Sequence, residues 1–289
     1  MIRFIINPNA GKHKNLKMLE SDIKKLFSQA EIIYTKCAGH AKELASEAAQ
    51  KNYGTAVAVG GDGTINEVTQ GLVNSNTAIG IIPCGSGNGF ARLIKMPLKN
   101  TLKCLEIIKQ NHTKKIDVGL ANNEYFLNVA GFGFDALIAH KFATSKRRGK
   151  LPYFKIGVKE FFNFRAEKYN LIFDDGKTRK ISPLCAAFAN GKQYGSNFFI
   201  APKAVFDDGL LDMVIIKPTN IFKMFLGLPN FLKDGLSPIK LTEAQKIKGV
   251  KITSQTPFYY HIDGEPRKAQ NMLEIAILPK SLNIISPEE

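Results

Sequence analysis

The chain is short of negative charge. It has 25 Asp and Glu residues against 40 Lys and Arg, which gives a formal net charge of +15. That excess favours an anionic partner: nucleotide phosphates, nucleic acid or an acidic membrane surface. Cysteine is scarce too. Cys37, Cys84, Cys104 and Cys185 lie far apart and form no CxxC pair, which argues against a disulfide frame or a zinc site and fits a reducing cytoplasm. The five histidines show no HExxH spacing, so a histidine–metal centre is disfavoured. No apolar run is long enough to span a bilayer. The apolar start Ile2 to Ile6 is too short for a signal peptide and runs straight into Asn7-Pro8. Membrane contact, if made, is expected to be peripheral. There is no internal repeat, no low-complexity tract and no nucleic-acid-binding module.

What is present is an ordinary globular composition, 44% hydrophobic and 22% charged over 289 residues. That length suggests two domains. The most informative stretch is Ala56 to Glu67. Its first part is a buried strand, and its last part opens a helix. Gly60, Gly61 and Gly63 between them allow a sharp turn and close approach of a ligand. Thr64 and Glu67 have capping-box spacing, which predicts Thr64 as the helix N-cap. A helix N-terminus suits a phosphate. Asp62 then makes sense if a cation joins it to the phosphates, as Mg²⁺ does with one or two carboxylates.

A second glycine turn, Pro83 to Arg92, follows the strand Ala78 to Ile82. Two such turns on successive strands of one sheet face the same ligand. Neither fits GxGxxG, and Gly11-Lys12 lacks the Walker A spacing. After Lys115 the texture turns to strands and hairpins. Asn122-Asn123 and Asp174 to Lys177 are expected hairpin turns, and strands are expected at Tyr125–Ala130, Arg179–Phe188 and Gln245–Thr253. The reading is an α/β nucleotide-binding domain over 1–115 and an antiparallel β-rich domain over 116–289, whose last strand is free to return to the first domain. By itself Asp263-Gly264-Glu265 reads as a hairpin turn. Alongside two phosphate loops it reads as a catalytic motif.

These motifs in this order resemble the diacylglycerol kinase catalytic-domain superfamily, which includes bacterial lipid kinases, sphingosine kinases and ceramide kinases. They are Gly60-Gly61-Asp62-Gly63-Thr64, Gly85-Ser86-Gly87-Asn88 and Asp263-Gly264-Glu265, joined by Asn7-Pro8-x-x-Gly11, Asn128 to Asp135 and Asp207 to Asp212. The resemblance implies a parallel-sheet domain of the 6-phosphofructokinase and NAD kinase type, plus an antiparallel β-sandwich that takes the lipid. It implies an ATP- and Mg²⁺-dependent kinase acting on a lipid alcohol. Asn7, Pro8, Asn9, Ala10, Gly11, Thr35, Gly60, Gly61, Asp62, Gly63, Thr64, Ile65, Asn66 and Ser86 would contact ATP. Asp62 would hold the catalytic Mg²⁺, supported by Arg92 and Asp117. Asp263 or Glu265 would be the general base, and the family favours Glu265. Asp208, with the carbonyls of Val205 and Leu210, matches a structural Mg²⁺ site.

Gly89 stands where many bacterial diacylglycerol kinases carry an acidic residue, and the Gly-Ser-Gly-Asn form resembles the sphingosine kinase branch. A diacylglycerol-like or a sphingoid-base-like acceptor therefore stays open. The alternative is a soluble small-molecule kinase of the NAD kinase type. A cytoplasmic protein that contacts anionic membranes peripherally is expected, through Lys146 to Lys150 and the nearby aromatics Phe142, Tyr153, Phe154, Phe161, Phe162 and Phe164. Phe225 to Leu232 is a further candidate for an acyl-chain entrance. The sequence is compatible with a homodimer, and nucleic acid is not an expected partner.

Overall fold

Two strands with no polar alternation lie at the centre of the first unit. In β3 (Thr55–Gly60) and β4 (Ala78–Pro83) every residue is buried, as expected for parallel strands covered on both faces. The computed structural model describes residues 1–11, 16–145, 150–195, 198–219 and 242–288. It divides into one unit of Met1–Val118 with Pro279–Glu289, and a second of Gly119–Leu278.

In the first unit, β1 (Ile2–Ile6), α1 (Leu16–Leu26), β2 (Glu31–Tyr34) and α2 (His40–Gln50) precede β3. After it come α3 (Asp62–Leu72), β4, α4 (Gly89–Leu93) and α5 (Thr101–Gln110). The strands run parallel in the order β2-β1-β3-β4, and Ile284 of the chain's last strand adds in parallel beside Ile79. Arg3 is buried in β1, where its Nε donates to Glu31 at 2.6 Å and its Nη1 to Glu47 at 3.0 Å and to the Leu44 carbonyl at 2.8 Å. A charge out of water needs such partners.

The strand β5 (Thr113–Ala121) leads into the second unit and forms the expected hairpin with β6 (Glu124–Phe126). Asn122 sits at φ +52° in the turn. The rest are β7 (Val129–Gly133), α6 (Phe134–Ala143), α7 (Lys150–Asn163), β8 (Tyr169–Phe173), β9 (Thr178–Ile181), β10 (Cys185–Ala189), β11 (Gln193–Gly195) and β12 (Phe198–Phe199). Then follow β13 (Leu211–Ile216), β14 (Thr242–Ile247), β15 (Gly249–Ser254), β16 (Phe258–Ile262), β17 (Glu265–Ala269) and β18 (Met272–Ile285).

One antiparallel sheet runs β14-β13-β10-β7-β16-β17. Facing it are β9, β8, β15 and the first half of β18. Phe132, Phe188, Met213 and Tyr260 from one sheet share a core with Leu171, Ile252 and Leu273 from the other. This is a β-sandwich built on inward alternation. Helix α6 packs on the outer face of the six-stranded sheet.

Three expected strands break. Tyr125–Ala130 divides into β6 and β7 at Leu127-Asn128, whose N–H groups turn to a side chain instead of a neighbouring strand. Arg179–Phe188 divides at Ser182-Pro183-Leu184, and its halves join different sheets. Proline has no N–H for a ladder. Gln245–Thr253 divides at Lys248 for the same change of sheet. The basic run Lys146–Arg148 with Gly149 and the stretch Phe225–Leu232 lie outside the described residues, as do the side chains of Lys150, Tyr153 and Phe154.

Candidate active site

In the first unit three loops leave the ends of β1, β3 and β4 and meet. Asn7 donates its backbone N–H to the Val59 carbonyl at 3.0 Å, and its Nδ2 to Thr64 Oγ1 at 3.1 Å. Its Oδ1 accepts the N–H of Asn9 at 3.0 Å, which folds the Asn7-Pro8-Asn9-Ala10 turn back on itself. Gly11 lies at φ +68°, and a Cβ there would stand 1.9 Å from the Cys84 carbonyl oxygen. The two glycine turns touch through their backbones: a Cβ on Gly85 would stand 2.7 Å from Gly61 Cα. Glycine at these points is a requirement of packing, not only of flexibility.

Asn88, left-handed at φ +52°, clamps the second turn through both ends of its amide. Oδ1 accepts Gly85 N–H at 2.8 Å and Nδ2 donates to the Gly85 carbonyl at 2.7 Å. Arg92 Nε donates to the Gly87 carbonyl at 3.1 Å, and Ser86 is exposed at the tip.

Asp62 joins the two turns. Its Oδ1 accepts the N–H of Gly89 at 2.7 Å. Its Oδ2 has no hydrogen-bond partner among the described residues, and a Cβ on Gly87 would come within 2.7 Å of it. A half-buried carboxylate thus keeps one oxygen free beside a glycine. Next to it, Asn7, Asn9, Thr35, Gly63, Thr64 and Glu67 line a cavity of about 200 Å³, closed by Lys36, Cys37, Ala38 and Ala41. Ile65 is buried in the core behind it, and Asn66 is half-buried on the same helix. Burial pushes the Cys84 thiol up to about 12, so it stays protonated.

The expected capping box is not formed. The N-cap of α3 is Gly61 in extended conformation, with no side-chain cap bond. Thr64 lies inside the first turn, 5% exposed, with its hydroxyl taken by Asn7. Glu67 Oε2 instead accepts the N–H of Ala41, at the start of α2. The helix starts three residues early because an extended glycine brings Asp62 to its first position. Asp117 is wholly buried, and its Oδ1 accepts the N–H of Lys280, whose φ of +49° marks a bend in β18.

In the second unit Asp263 and Gly264 form the two-residue turn between β16 and β17, at φ +48° and +87°. Both Asp263 oxygens are engaged. Oδ2 accepts Leu127 N–H at 2.9 Å, and Oδ1 accepts those of Asn128 at 2.9 Å and Val129 at 3.0 Å. Glu265 is exposed and makes no hydrogen bond among the described residues. Its nearest basic neighbour in the strand, Arg267, is held by both oxygens of Glu124 at 2.8 and 2.7 Å. Nearby, Asn190 is buried and its Nδ2 donates to the Leu127 carbonyl at 3.0 Å.

Sequence reading gave no role to His261 or Asp135. His261 is 2% exposed and its Nε2 lies 3.0 Å from Asp135 Oδ2. Gly131, directly across the ladder from His261, leaves the room, since a Cβ there would meet both groups within 3.0 Å. The available signal was a histidine two residues before Asp263 and an aspartate closing the Asn128 to Asp135 block.

Asp208 lies in the turn before β13. Its Oδ1 accepts Leu210 N–H at 3.0 Å, and its other oxygen pairs with the Lys246 ammonium. Burial raises the nearby Asp212 carboxyl above its usual range, with Lys246 opposing that rise. Val205 is 45% exposed. Among the described residues no three His, Cys, Asp or Glu side chains are grouped to hold a metal ion. Nor is any helix among them long and apolar enough to cross a membrane.

The diacylglycerol kinase catalytic domain matches residues 1–121, and the YegS C-terminal NAD kinase beta sandwich-like domain matches 128–286. A diacylglycerol kinase of Bacillus subtilis is 28% identical over 297 residues, covering 99% of this chain and 96% of its own. A protein of Chromohalobacter salexigens named "Probable lipid kinase YegS-like" is 30% identical over 256 residues, covering 86% and 81%. The crystal structure of a diacylglycerol kinase from Bacillus anthracis shares the fold, with a TM-score of 0.75 at 24% identity and coverage of 99% and 96%. The chain belongs to the family of bacterial diacylglycerol kinases and YegS-like lipid kinases.

Proposed function

We propose that this protein transfers the γ-phosphoryl group of ATP to the hydroxyl of a lipid alcohol, with a carboxylate as general base. The observation that carries this reading is the convergence of the Asn7–Gly11, Gly60–Asn66 and Gly85–Gly89 loops around Asp62. Backbone N–H groups at glycine turns and helix starts suit phosphate oxygens. The free Oδ2 of Asp62 fits a magnesium ion that also takes phosphate oxygens and water, an arrangement needing few protein carboxylates. When bound, that ion would neutralise charge on the phosphates.

Contrasting surroundings support Glu265 over Asp263 as the base. Both oxygens of Asp263 are already engaged by three backbone N–H groups, which fix that side chain in the turn. Glu265 has no such bonds and is open to solvent. In the transfer, the lipid oxygen bonds to the γ-phosphorus as the bond to the ADP oxygen breaks, and Glu265 takes the hydroxyl proton. Little covalent chemistry is asked of the protein beyond alignment and charge stabilisation.

Peripheral contact with anionic membranes belongs to the same proposal. Phe162 is 70% exposed on α7, close in sequence to the exposed Lys159 and the basic run 146–150. An exposed aromatic beside basic residues suits a headgroup region.

The test is a panel of detergent-dispersed diacylglycerols, ceramides and sphingoid bases, with NAD as a soluble acceptor, incubated with labelled ATP and Mg²⁺. Label is expected in one lipid class and absent from it with Glu265→Gln. Label in NAD alone would reverse the assignment in favour of a soluble kinase.

A further inference from the structure

The turn before β13 is where the family resemblance puts a structural magnesium ion, on Asp208 and the carbonyls of Val205 and Leu210. The residues present do not fit that ion. One Asp208 oxygen accepts the Leu210 N–H and the other is paired with the Lys246 ammonium. A divalent cation on the same carboxylate would meet a positive charge already in place.

The lysine's position follows from strand register. In the β13–β14 ladder Lys246 stands directly opposite Asp212. Its ammonium reaches Asp208 and lies 3.7 Å from Asp212 Oδ2. That oxygen is buried and accepts no hydrogen bond among the described residues, and the Asp212 side chain is only 14% exposed. A carboxylate so placed needs a counter-charge. Among the described residues Lys246 is the cation facing both carboxylates, one across the ladder and one in the turn.

We propose that Lys246 is a covalently attached substitute for the structural metal ion: it ties the Asp208 turn to β13 and β14, this corner takes up no divalent ion, and loss of the ammonium opens a cation site there. The inference is independent of the substrate and of the roles given to Asp62 and Glu265.

The test uses the full chain without nucleotide. Melting temperatures are compared in EDTA and in millimolar MgCl₂ for wild type, Lys246→Met and the Lys246→Met/Asp208→Asn double variant. Wild type should melt at the same temperature in both buffers. Lys246→Met should melt about 3–5 °C lower in EDTA and regain at least half of that in MgCl₂, and the double variant should show no such gain. A Lys246→Met protein as stable as wild type, or one that MgCl₂ does not restore, would overturn the proposal. A second readout does not depend on that variant folding. Mn²⁺ titrated into nucleotide-free wild type and Asp208→Asn, followed by electron paramagnetic resonance, should give equal numbers of bound ions. One ion more in wild type would place a metal on Asp208 and sink the idea.

Discussion

Asp62 Oδ1 accepts the backbone N–H of Gly89 at 2.7 Å, so the carboxylate of the first glycine turn is fixed by the start of the helix after the second. An asparagine can keep that bond through its amide oxygen while losing the charge. Asp62→Asn should therefore melt within about 2 °C of wild type, since a bond of this kind is preserved. Its kcat should fall about 10²–10³-fold, the usual cost of removing one electrostatic contact to a transition state. Steady-state kinetics and a melting curve on the same preparation check this. A large loss of stability with kcat retained would assign Asp62 to the fold instead.

Asp263 and Glu265 are two residues apart and should respond in opposite ways. Asp263→Ala removes the acceptor of three backbone N–H groups and strands them between β6 and β7. Hydrogen bonds to a charged group are worth about 1.5–3 kcal/mol each, and they are not additive at a shared carboxylate. A loss of about 2–4 kcal/mol in urea unfolding is expected. Glu265→Gln breaks no hydrogen bond among the described residues and should stay within about 0.5 kcal/mol of wild type. Its kcat should drop about 10²–10⁴-fold, the scale of general-base assistance. The reverse pattern would make Asp263 the base.

Local features of this site were legible in the sequence, and long-range ones were not. The strand–glycine–helix run at Val59 to Asn66 depends on neighbours in the chain, so its turn could be read directly. The role of Thr64 could not, because its hydroxyl answers to Asn7, 57 positions earlier. The expected strand Tyr125–Ala130 looks continuous because it is aromatic or apolar at every position but Asn128. It breaks because Asp263, 134 to 136 positions away, takes the N–H groups at the break. The pairing of Lys246 with Asp208 and Asp212 depends likewise on a register that exists only once β13 and β14 are paired.

The buried Arg3 network gives the first unit an acid-sensitive element. Burial by itself pushes the Glu31 carboxyl up, but hydrogen bonds from Arg3 and Tyr53 outweigh it and hold the group below its ordinary value of 4.5. A carboxyl depressed in the folded state adds stability that is complete above the unfolded value. That contribution is lost as the pH falls below about 4.5 towards the folded-state value. Melting temperatures from pH 6 to pH 3 should fall less steeply for Glu31→Gln than for wild type below 4.5. Parallel curves would remove Glu31 from the acid response.

Gly63 separates clearance for a ligand from packing of the loops. Apart from its chain neighbours and its own helix backbone, no heavy atom lies within 4 Å of a Cβ placed there, and the residue sits in the first turn of α3 on the lining of the 200 Å³ cavity. Alanine in a helix is favoured over glycine by about 0.5–1 kcal/mol, so Gly63→Ala should fold at least as well as wild type. Gly85→Ala is the contrasting case, since its Cβ would meet Gly61 Cα at 2.7 Å, and overpacking of that kind costs about 1–3 kcal/mol. If the cavity holds the nucleotide's phosphates, the added methyl at Gly63 should raise the KM for ATP about tenfold, or 1.4 kcal/mol, and leave the KM for lipid unchanged. A Gly63→Ala protein with wild-type ATP kinetics would exclude the nucleotide from that side of the helix start.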